Sequence, residues 1–577
     1  MISRGLLSLG GYSLVALAAG SVLATRLPPV MAPVTRWLRR PVAPVIVGIL
    51  TAAFYWWMWG NLDAVAVVHD EAAYLLQARI FAGGHWAAAA APLPQFFEQF
   101  HVFVTPVLAP KYPPGHAILL IPGVVLGLPG LIPTLLNGLT AAMLFVLARR
   151  LANPWVALLT WLLWLVAPAN LVFRTTYFSE LTTGLLILVA WWALLEWRDS
   201  GSRWCMLALA GSVGWGALTR PLTMLAFAIP IGLYLLWQTA RRRSWGQLAA
   251  GVALGTAIMT LLPLQSASVT GDWRTTPYRH YSEVYFPFDV PGFSDGTPPP
   301  PPQRELPPDM VQFRQYFIQF HDAHTVAAIP ETLWQRTVVI LKTTWGTWRV
   351  FLAPLAVLGL VGLSIEGVFG LVSVGLLIVA YLIFAHPPGW TLYYLEGESV
   401  ILFVTALGVW QAARWLVGVV GRWRDESAEH VLARTGLVIC VLALLAYPTT
   451  STFVHEIRET GERLQADQAR FRDRVAGLPH PSIVFVRYAP THNLHYSLIT
   501  NPPDYATADT WIVYDRGPEN VDLIEAAPDR MPILYDEHTS EFFRIDPTTG
   551  APFAAPAPAP APAPAPKAGG PGTTGGP

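Results

Sequence analysis

Residues 131–150 read LIPTLLNGLTAAMLFVLARR. From Leu131 to Ala148 nothing carries a charge, and then two arginines follow together. As a helix the uncharged run is ~27 Å long, close to the roughly 30 Å of a bilayer's hydrocarbon core. A helix on a water-soluble protein would need a polar face, which this stretch lacks. Arg149-Arg150 then marks the end that stays cytoplasmic. Similar runs, long enough or nearly so to cross, lie at about 5–25, 42–60, 153–169, 182–197, 204–219, 221–238, 246–267, 349–364, 366–384, 400–416 and 435–449. The expectation is therefore a mainly α, polytopic membrane protein of about twelve spans.

Composition agrees. Of 577 residues 53% are hydrophobic and only 13% charged, against about 25% charged in soluble domains. The 37 basic residues balance the 37 acidic ones, so no net field draws a polyanion and no nucleic-acid partner is expected. Two cysteines, each in an apolar run, exclude a disulfide framework and a cysteine-ligated metal. The 24 Trp and 19 Tyr suit a chain with many membrane interfaces.

Arginines orient the spans. Arg26, Arg36, Arg39 and Arg40, then Arg149 and Arg150, Arg198 and Arg203, Arg241 to Arg243, and Arg422, Arg424 and Arg434 fall in short loops expected to be cytoplasmic. Counting from them puts 61–115, 170–181, 270–345, 385–399 and everything after 450 outside. The run HAILLIPGVVLGLPG at 116–130 is too short to cross and reads as a re-entrant or tilted half-span. The first apolar run is long and Thr25-Arg26-Leu27-Pro28 is a poor cleavage site, so it is expected to remain as a helix.

Three regions result: a polytopic membrane domain over 1–450 with outer loops at about 61–115 and 270–345, a small extracytoplasmic α/β domain over 451–550, and a Pro/Ala/Gly tail over 551–577. The second outer loop holds an all-proline run at 298–302 and reads as a stiff, extended lid or spacer. The α/β reading rests on an amphipathic stretch near 453–475 followed by SIVFVRY, TWIVYD, MPILYD and EFFRI. The tail has no residues with which to bury a core and is expected to be disordered.

Four stretches carry chemistry. His69-Asp70-Glu71 opens the first outer loop, and adjacent carboxylates at a membrane surface are suited to binding a cation or accepting a proton. Lys111-Tyr112-Pro113-Pro114-Gly115 precedes the half-span, its prolines holding the lysine at headgroup depth where a lipid phosphate would lie. Glu180 follows Thr176-Tyr177-Phe178-Ser179 at the outer start of an uncharged span, and Arg220 in Leu218-Thr219-Arg220-Pro221 joins two spans on the outer side. Each also has a plain structural reading. Asp70 or Ser179 would cap a helix, Lys111 would snorkel, and Arg220 would mark a charged turn.

Together the four resemble the GT-C superfamily of membrane glycosyltransferases, in the branch of protein O-mannosyltransferases and lipid A aminoarabinose transferases. In that branch an Asp-Glu pair opens the first outer loop, matched by Asp70 and Glu71 in HDEAAYLLQARIFAGGHW. A basic residue followed by proline re-enters the membrane, matched by Lys111, a later helix begins on an acid, matched by Glu180, and a basic residue recurs before proline at Arg220. An aspartate is commoner where Glu180 stands, and the Arg-Tyr pair often found before a late helix is replaced by Trp390-Thr391-Leu392-Tyr393-Tyr394-Leu395-Glu396.

The resemblance implies a sugar donor on a polyprenyl phosphate, a glycan, lipid or protein acceptor, and a plasma (inner) membrane protein whose site lies outside. The implied catalytic set is Asp70 as base, with Glu71 and Glu180, and the implied phosphate ligands are Lys111, Arg220 and the loop residue Arg279. No cofactor is expected. Asp70 and Glu180 could hold a divalent metal, but two carboxylates without a histidine cluster argue for none. The competing readings are a secondary transporter, disfavoured because the charges cluster on one face, and a non-catalytic handler of lipid-linked glycans.

Overall fold

A computed structural model describes the chain apart from residues 1–14, 16, 61, 63–64, 347–351, 422–426, 551 and 554–577. Of the helix expected at 5–25, residues 17–25 are described and helical while most of the rest falls outside the described residues, and of the expected disordered tail only Pro552 and Phe553 are described, as a short strand.

The membrane part begins with α1 (Ala32–Leu38) and α2 (Ala43–Trp59), which meet at 85°. After them come α3 (His69–Ala82) and three short strands, β1 (Ala88–Ala89), β2 (Val102–Phe103) and β3 (Val107–Pro110), with β3 central and antiparallel to both others. Next come α4 (Pro114–Val125), α5 (Leu131–Leu151), α6 (Pro154–Leu165), α7 (Pro168–Phe173), α8 (Glu180–Ser200), α9 (Arg203–Thr219) and α10 (Pro221–Arg242). Then α11 (Trp245–Met259) and α12 (Leu261–Thr270) run on as one apolar span of 26 residues. Helices α2 and α5 cross closely because both carry glycine at the crossing: a Cβ on Gly138 would sit 2.7 Å from the carbonyl oxygen of Gly48.

Among the described residues seven helices are long and apolar enough to cross a membrane, or eight if α1 and α2 count as one broken span. The sequence suggests about twelve apolar runs, and the difference has local causes. Pro168 divides the 153–169 run into α6, of 12 residues, and α7, of 6. The run at 349–364 gives only the 10-residue α16 (Leu352–Val361), and α9 has 17 residues. Helix α4 has 12 residues, about 18 Å, in keeping with a half-span.

The second outer loop differs from the extended spacer the proline run suggests. It folds into α13 (Pro277–Tyr285), α14 (Pro308–Ala323) and α15 (Ile329–Trp345), with the prolines confined to the connection between the first two. The cause is aromatic spacing: Tyr281 and Tyr285 on α13 and Phe313 and Phe317 on α14 each lie four apart, so each pair shares a face. Those faces close over Phe100 and Phe103 of the 61–115 segment, forming an aromatic core apart from the long apolar helices.

Helices α17 (Ile365–Ala380) and α18 (Leu395–Gly421) complete the bundle, followed by α19 (Ala428–Ala476), a single helix of 49 residues. The apolar run at 435–449 and the amphipathic stretch at 453–475 are thus one rod, continuous through Pro448, whose carbonyl accepts from the hydroxyls of Ser451 and Thr452. It leads to β4 (Ser482–Arg487), β5 (Thr510–Tyr514), α20 (Asn520–Ala526), β6 (Met531–Asp536), β7 (Glu541–Ile545) and β8 (Pro552–Phe553). The sheet order is β5-β4-β6-β7-β8, parallel through the first three and antiparallel after them. This sheet region reaches back to the first outer loop: His69 N–H donates to His495 O at 3.1 Å, and Tyr514 Oη donates to Asp309 Oδ2 of α14 at 2.8 Å.

Candidate active site

Helix α3 starts at His69 after Val68, whose side chain has no polar atom with which to cap it. Glu71, in the third position, does that work: Oε2 accepts from Val67 N (2.9 Å) and Val68 N (3.1 Å). Oε1 accepts from Tyr177 N at 3.1 Å, tying α3 to the approach to α8. Burial pushes the Glu71 carboxyl up to about 7 against the pull of those three N–H groups. Its oxygens are taken up by backbone, while Asp70 one residue earlier stays partly exposed.

Asp70 keeps a third of its side chain exposed among residues that are nearly sealed. Its Oδ1 accepts from the Tyr112 hydroxyl, and Oδ2 lies 2.8 Å from His69 Nδ1 and 3.7 Å from His101 Nε2. Burial works to raise this carboxyl, but the imidazoles of His101 and His69 outweigh it and hold it well below the usual carboxylate range. Burial, and then Lys111, pushes His101 down to about 3, so Asp70 is the anion of the group at neutral pH. His69, Asp70 and His101 form the one set of metal-ligating side chains among the described residues whose donor atoms all lie within 4.8 Å of one another. Glu180 is not in it.

Lys111 is 3% exposed. Its ammonium lies 4.4 Å from the ring centre of Tyr278, 5.1 Å from Tyr281 and 5.6 Å from Tyr112, an aromatic cage that favours a cation over a neutral amine. Burial lowers its pKa, and Asp289 and then Asp70 act the other way. The turn that delivers it is held at both ends. Lys111 N donates to His101 O at 2.9 Å, and Tyr112 O accepts from Gln77 (2.7 Å) and Gln265 (2.9 Å). Gly115 is required for close approach, since a Cβ there would lie 2.3 Å from Thr219 Oγ1 at the end of α9.

Glu180 and Arg220 form a second group. Arg220 donates to Glu180 Oε1 and to Tyr381 Oη (2.9 Å), and its Nε lies 3.3 Å from Glu396 Oε1. The two groups are joined by aromatic side chains: Tyr112, bonded to Asp70, stacks on Tyr74 at 4.3 Å, and Tyr74 donates to Ser179 beside Glu180. Asp70 and Lys111, and Glu180 and Arg220, are thus gathered at one end of the bundle. Arg279 is not brought to them. Its side chain is 74% exposed and pairs with Glu283 one turn along α13.

Sequence reasoning missed His101, Asp289, Glu396 and the tyrosine cage. Single residues such as His101 and Asp289 carry no spacing signal, but the Tyr278, Tyr281 and Tyr285 periodicity on α13 was available. The 390–396 segment lacks the expected arginine, and Arg336 from α15 stands behind it instead, donating to Tyr381 O and Phe384 O at 2.7 Å each.

Comparison with known proteins bears on this arrangement. Residues 119–265 match the family model described as Dolichyl-phosphate-mannose-protein mannosyltransferase. No curated protein sequence matches. The solved structure of ArnT from Cupriavidus metallidurans in the apo state is 15% identical, with a TM-score of 0.51 over 86% of this chain and 93% of that one. The structure of the same protein bound to undecaprenyl phosphate is 15% identical over 87% of this chain and 94% of that one, TM-score 0.46. The apo Archaeoglobus fulgidus oligosaccharyltransferase is 11% identical over 73% and 56%, TM-score 0.37. The resemblance read from the sequence is borne out: this multi-pass membrane protein has a GT-C fold of the ArnT kind.

Proposed function

We propose that this protein transfers a sugar from a polyprenyl-phosphate donor to a hydroxyl acceptor on the extracytoplasmic face, by a single displacement with inversion. One observation carries the reading: an ionised Asp70 and a caged Lys111 ammonium share the Tyr112 junction in one cleft above the half-span α4. That is a base and an anion-binding cation held side by side at headgroup depth. The family match and the ArnT structure with undecaprenyl phosphate support a lipid-linked donor.

The leaving group is already an anionic phosphate, so cationic stabilisation as the bond breaks is what the site must supply, and Lys111 supplies it. Arg220 is engaged by Glu180 and Glu396, and its role is to hold those acids and offer its remaining edge to the phosphate. An acceptor hydroxyl has a pKa far above neutrality and needs a base as it attacks. Asp70 is that base: it is ionised and partly open to the cleft. Proton removal on the face opposite the phosphate gives inversion without a covalent sugar intermediate. Glu71 positions Asp70 by fixing the start of α3, and Arg279 takes no part.

The site lies at the N-terminal ends of α8, α10 and α18, whereas Arg149, Arg150, Arg198, Arg241 and Arg242 lie at the C-terminal ends of α5, α8 and α10. Positive charge favours the cytoplasm, which supports an outward-facing site in a plasma (inner) membrane protein. The test is to incubate the purified protein with labelled polyprenyl-phosphate sugars and hydroxyl acceptors. Acceptor-dependent release of polyprenyl phosphate is expected, and its absence across a donor panel would refute the reading.

A further inference from the structure

We propose that His69, Asp70 and His101 form a binding site for a divalent transition-metal cation, of which Zn²⁺ is the type. Two imidazoles and one carboxylate converge here, a nitrogen-rich donor set that suits Zn²⁺, Co²⁺ or Ni²⁺ and not Mg²⁺ or Ca²⁺. The donor atoms lie within 4.8 Å of one another, with Asp70 Oδ2 at 2.8 Å and 3.7 Å from the two rings. Bond lengths of about 2.0–2.1 Å in a tetrahedral site put ligand atoms about 3.3 Å apart, so small side-chain rotations close the shell.

The independent observation is what these histidines lack. His69 is 3% exposed and His101 is 7% exposed, yet both ring nitrogens of His69 and Nδ1 of His101 have no hydrogen-bond partner. The 2.8 Å approach of His69 Nδ1 to Asp70 lies outside hydrogen-bonding geometry. Buried polar atoms are nearly always satisfied, and a bare pair of imidazoles facing one carboxylate oxygen is the pattern a cation completes.

Both rings are held in place. His69 stacks on Phe100 at 4.7 Å and meets His101 edge-on at 4.6 Å. His101 adopts a left-handed backbone (φ 65°), rare for a residue other than glycine, with its N–H donating to Tyr281 Oη at 2.8 Å and its carbonyl accepting from Lys111 N at 2.9 Å. The nearby Lys111 charge is enclosed by its tyrosine cage and opposed by Asp289.

Three protein ligands leave a coordination position open, and Asp70, a third of its side chain exposed, is the ligand through which solvent or a substrate reaches it. There the cation, held by Asp70 Oδ2 and the two imidazoles, would take up the acceptor hydroxyl oxygen and make its proton easier to remove, the proton passing to Asp70 Oδ1, the carboxylate oxygen that is not a ligand and that accepts from Tyr112. That role rests on the transfer reading above, whereas binding of the cation does not.

The experiment uses the tag-free, chelator-stripped full-length protein titrated with Co²⁺, whose visible d–d absorption reports nitrogen and oxygen coordination, followed by displacement with Zn²⁺. One equivalent of Co²⁺ should develop d–d bands that Zn²⁺ abolishes and excess Mg²⁺ does not. His69→Ala and His101→Ala should each weaken Co²⁺ binding by about 100-fold or more, above the usual loss for an outer-sphere change. His455→Ala, an exposed histidine on α19, should not weaken it. Asp70→Asn, nearly isosteric, tests the same ligand set should an alanine variant fold poorly, and it should weaken binding at least about tenfold. Absent d–d bands in the wild type, or wild-type Co²⁺ affinity in both His101→Ala and Asp70→Asn, would overturn the proposal. Because the readout needs no donor, a protein that binds Co²⁺ through these residues but transfers no sugar would support the site and refute only the transfer reading.

Discussion

The Tyr112 hydroxyl donates to Asp70 Oδ1, and Lys111, the residue before Tyr112, points its ammonium into the Tyr278 and Tyr281 rings. A pair of neighbouring residues thus fixes the proposed base and the proposed phosphate-binding cation relative to each other. Moving the Lys111-Tyr112 turn would displace both, so its rigidity matters as well as the two side chains. That rigidity comes from Pro113, Pro114 and the two glutamine bonds to Tyr112 O.

Lys111→Met keeps the apolar stem within the tyrosine cage and removes the charge. Donor use should weaken by about 1.5–3 kcal/mol, the worth of a charge-assisted contact, which is roughly 10- to 150-fold. Folding should be preserved, since the buried ammonium carries its own desolvation cost. Donor affinity and turnover measured side by side, with thermal melting as the control, check this.

Arg220 and Arg279 should separate cleanly. Arg220→Met leaves the Glu180 and Glu396 carboxylates facing each other without their cation, and removing one partner of a buried pair costs about 3–5 kcal/mol. Both stability and transfer should fall sharply. Arg279→Ala breaks only an exposed pair within one helix and should change transfer less than about twofold. Parallel assays of the two variants decide whether the outer-loop arginine belongs to the donor site.

Legibility in the sequence followed what each residue had to pair with. The apolar helices were readable from composition alone, and so were the four β-rich runs after 480. The helices α13 and α14 were not read, because the Pro298–Pro302 run pointed to an extended spacer although the four-residue aromatic spacing stood in plain view on either side. Asp70, Lys111, Glu180 and Arg220 were legible as candidates because membrane-level charges are rare, and the structure links them in space. Arg279 was named on charge alone, which cannot tell an exposed side chain from a buried one. His101 escaped because its meaning depends on His69, 32 positions away in the chain and beside it in space.

A pH dependence is expected where the sheet region docks on α14. Burial raises the Asp309 carboxyl from 3.8 to about 6, with Tyr514, the Met310 N–H and His492 pulling it down. The folded form therefore holds a proton that the unfolded form gives up between those values, and stability falls as pH rises from 3.8 through about 6. The shift corresponds to ~3 kcal/mol, lost by neutral pH. After correction for the intrinsic pH dependence of amide exchange, protection at β5 and the start of α14 should be higher at pH 5 than at pH 7.5. Asp309→Asn should be equally protected at both and flatten the difference.

The account's central claim is that Asp70 takes the acceptor proton, and the most direct measurement is the transfer rate of Asp70→Asn alongside its donor affinity, with Glu71→Gln prepared in the same membranes. Asparagine keeps the shape of Asp70 and an oxygen for Tyr112 but cannot accept the proton. The account predicts a folded, donor-binding Asp70→Asn slowed roughly 10²- to 10⁴-fold, the usual yield of general-base catalysis. Glu71→Gln, which disturbs backbone caps and not the cleft, should lose stability while its folded fraction turns over far closer to wild type. Near-wild-type turnover in Asp70→Asn would contradict the assignment.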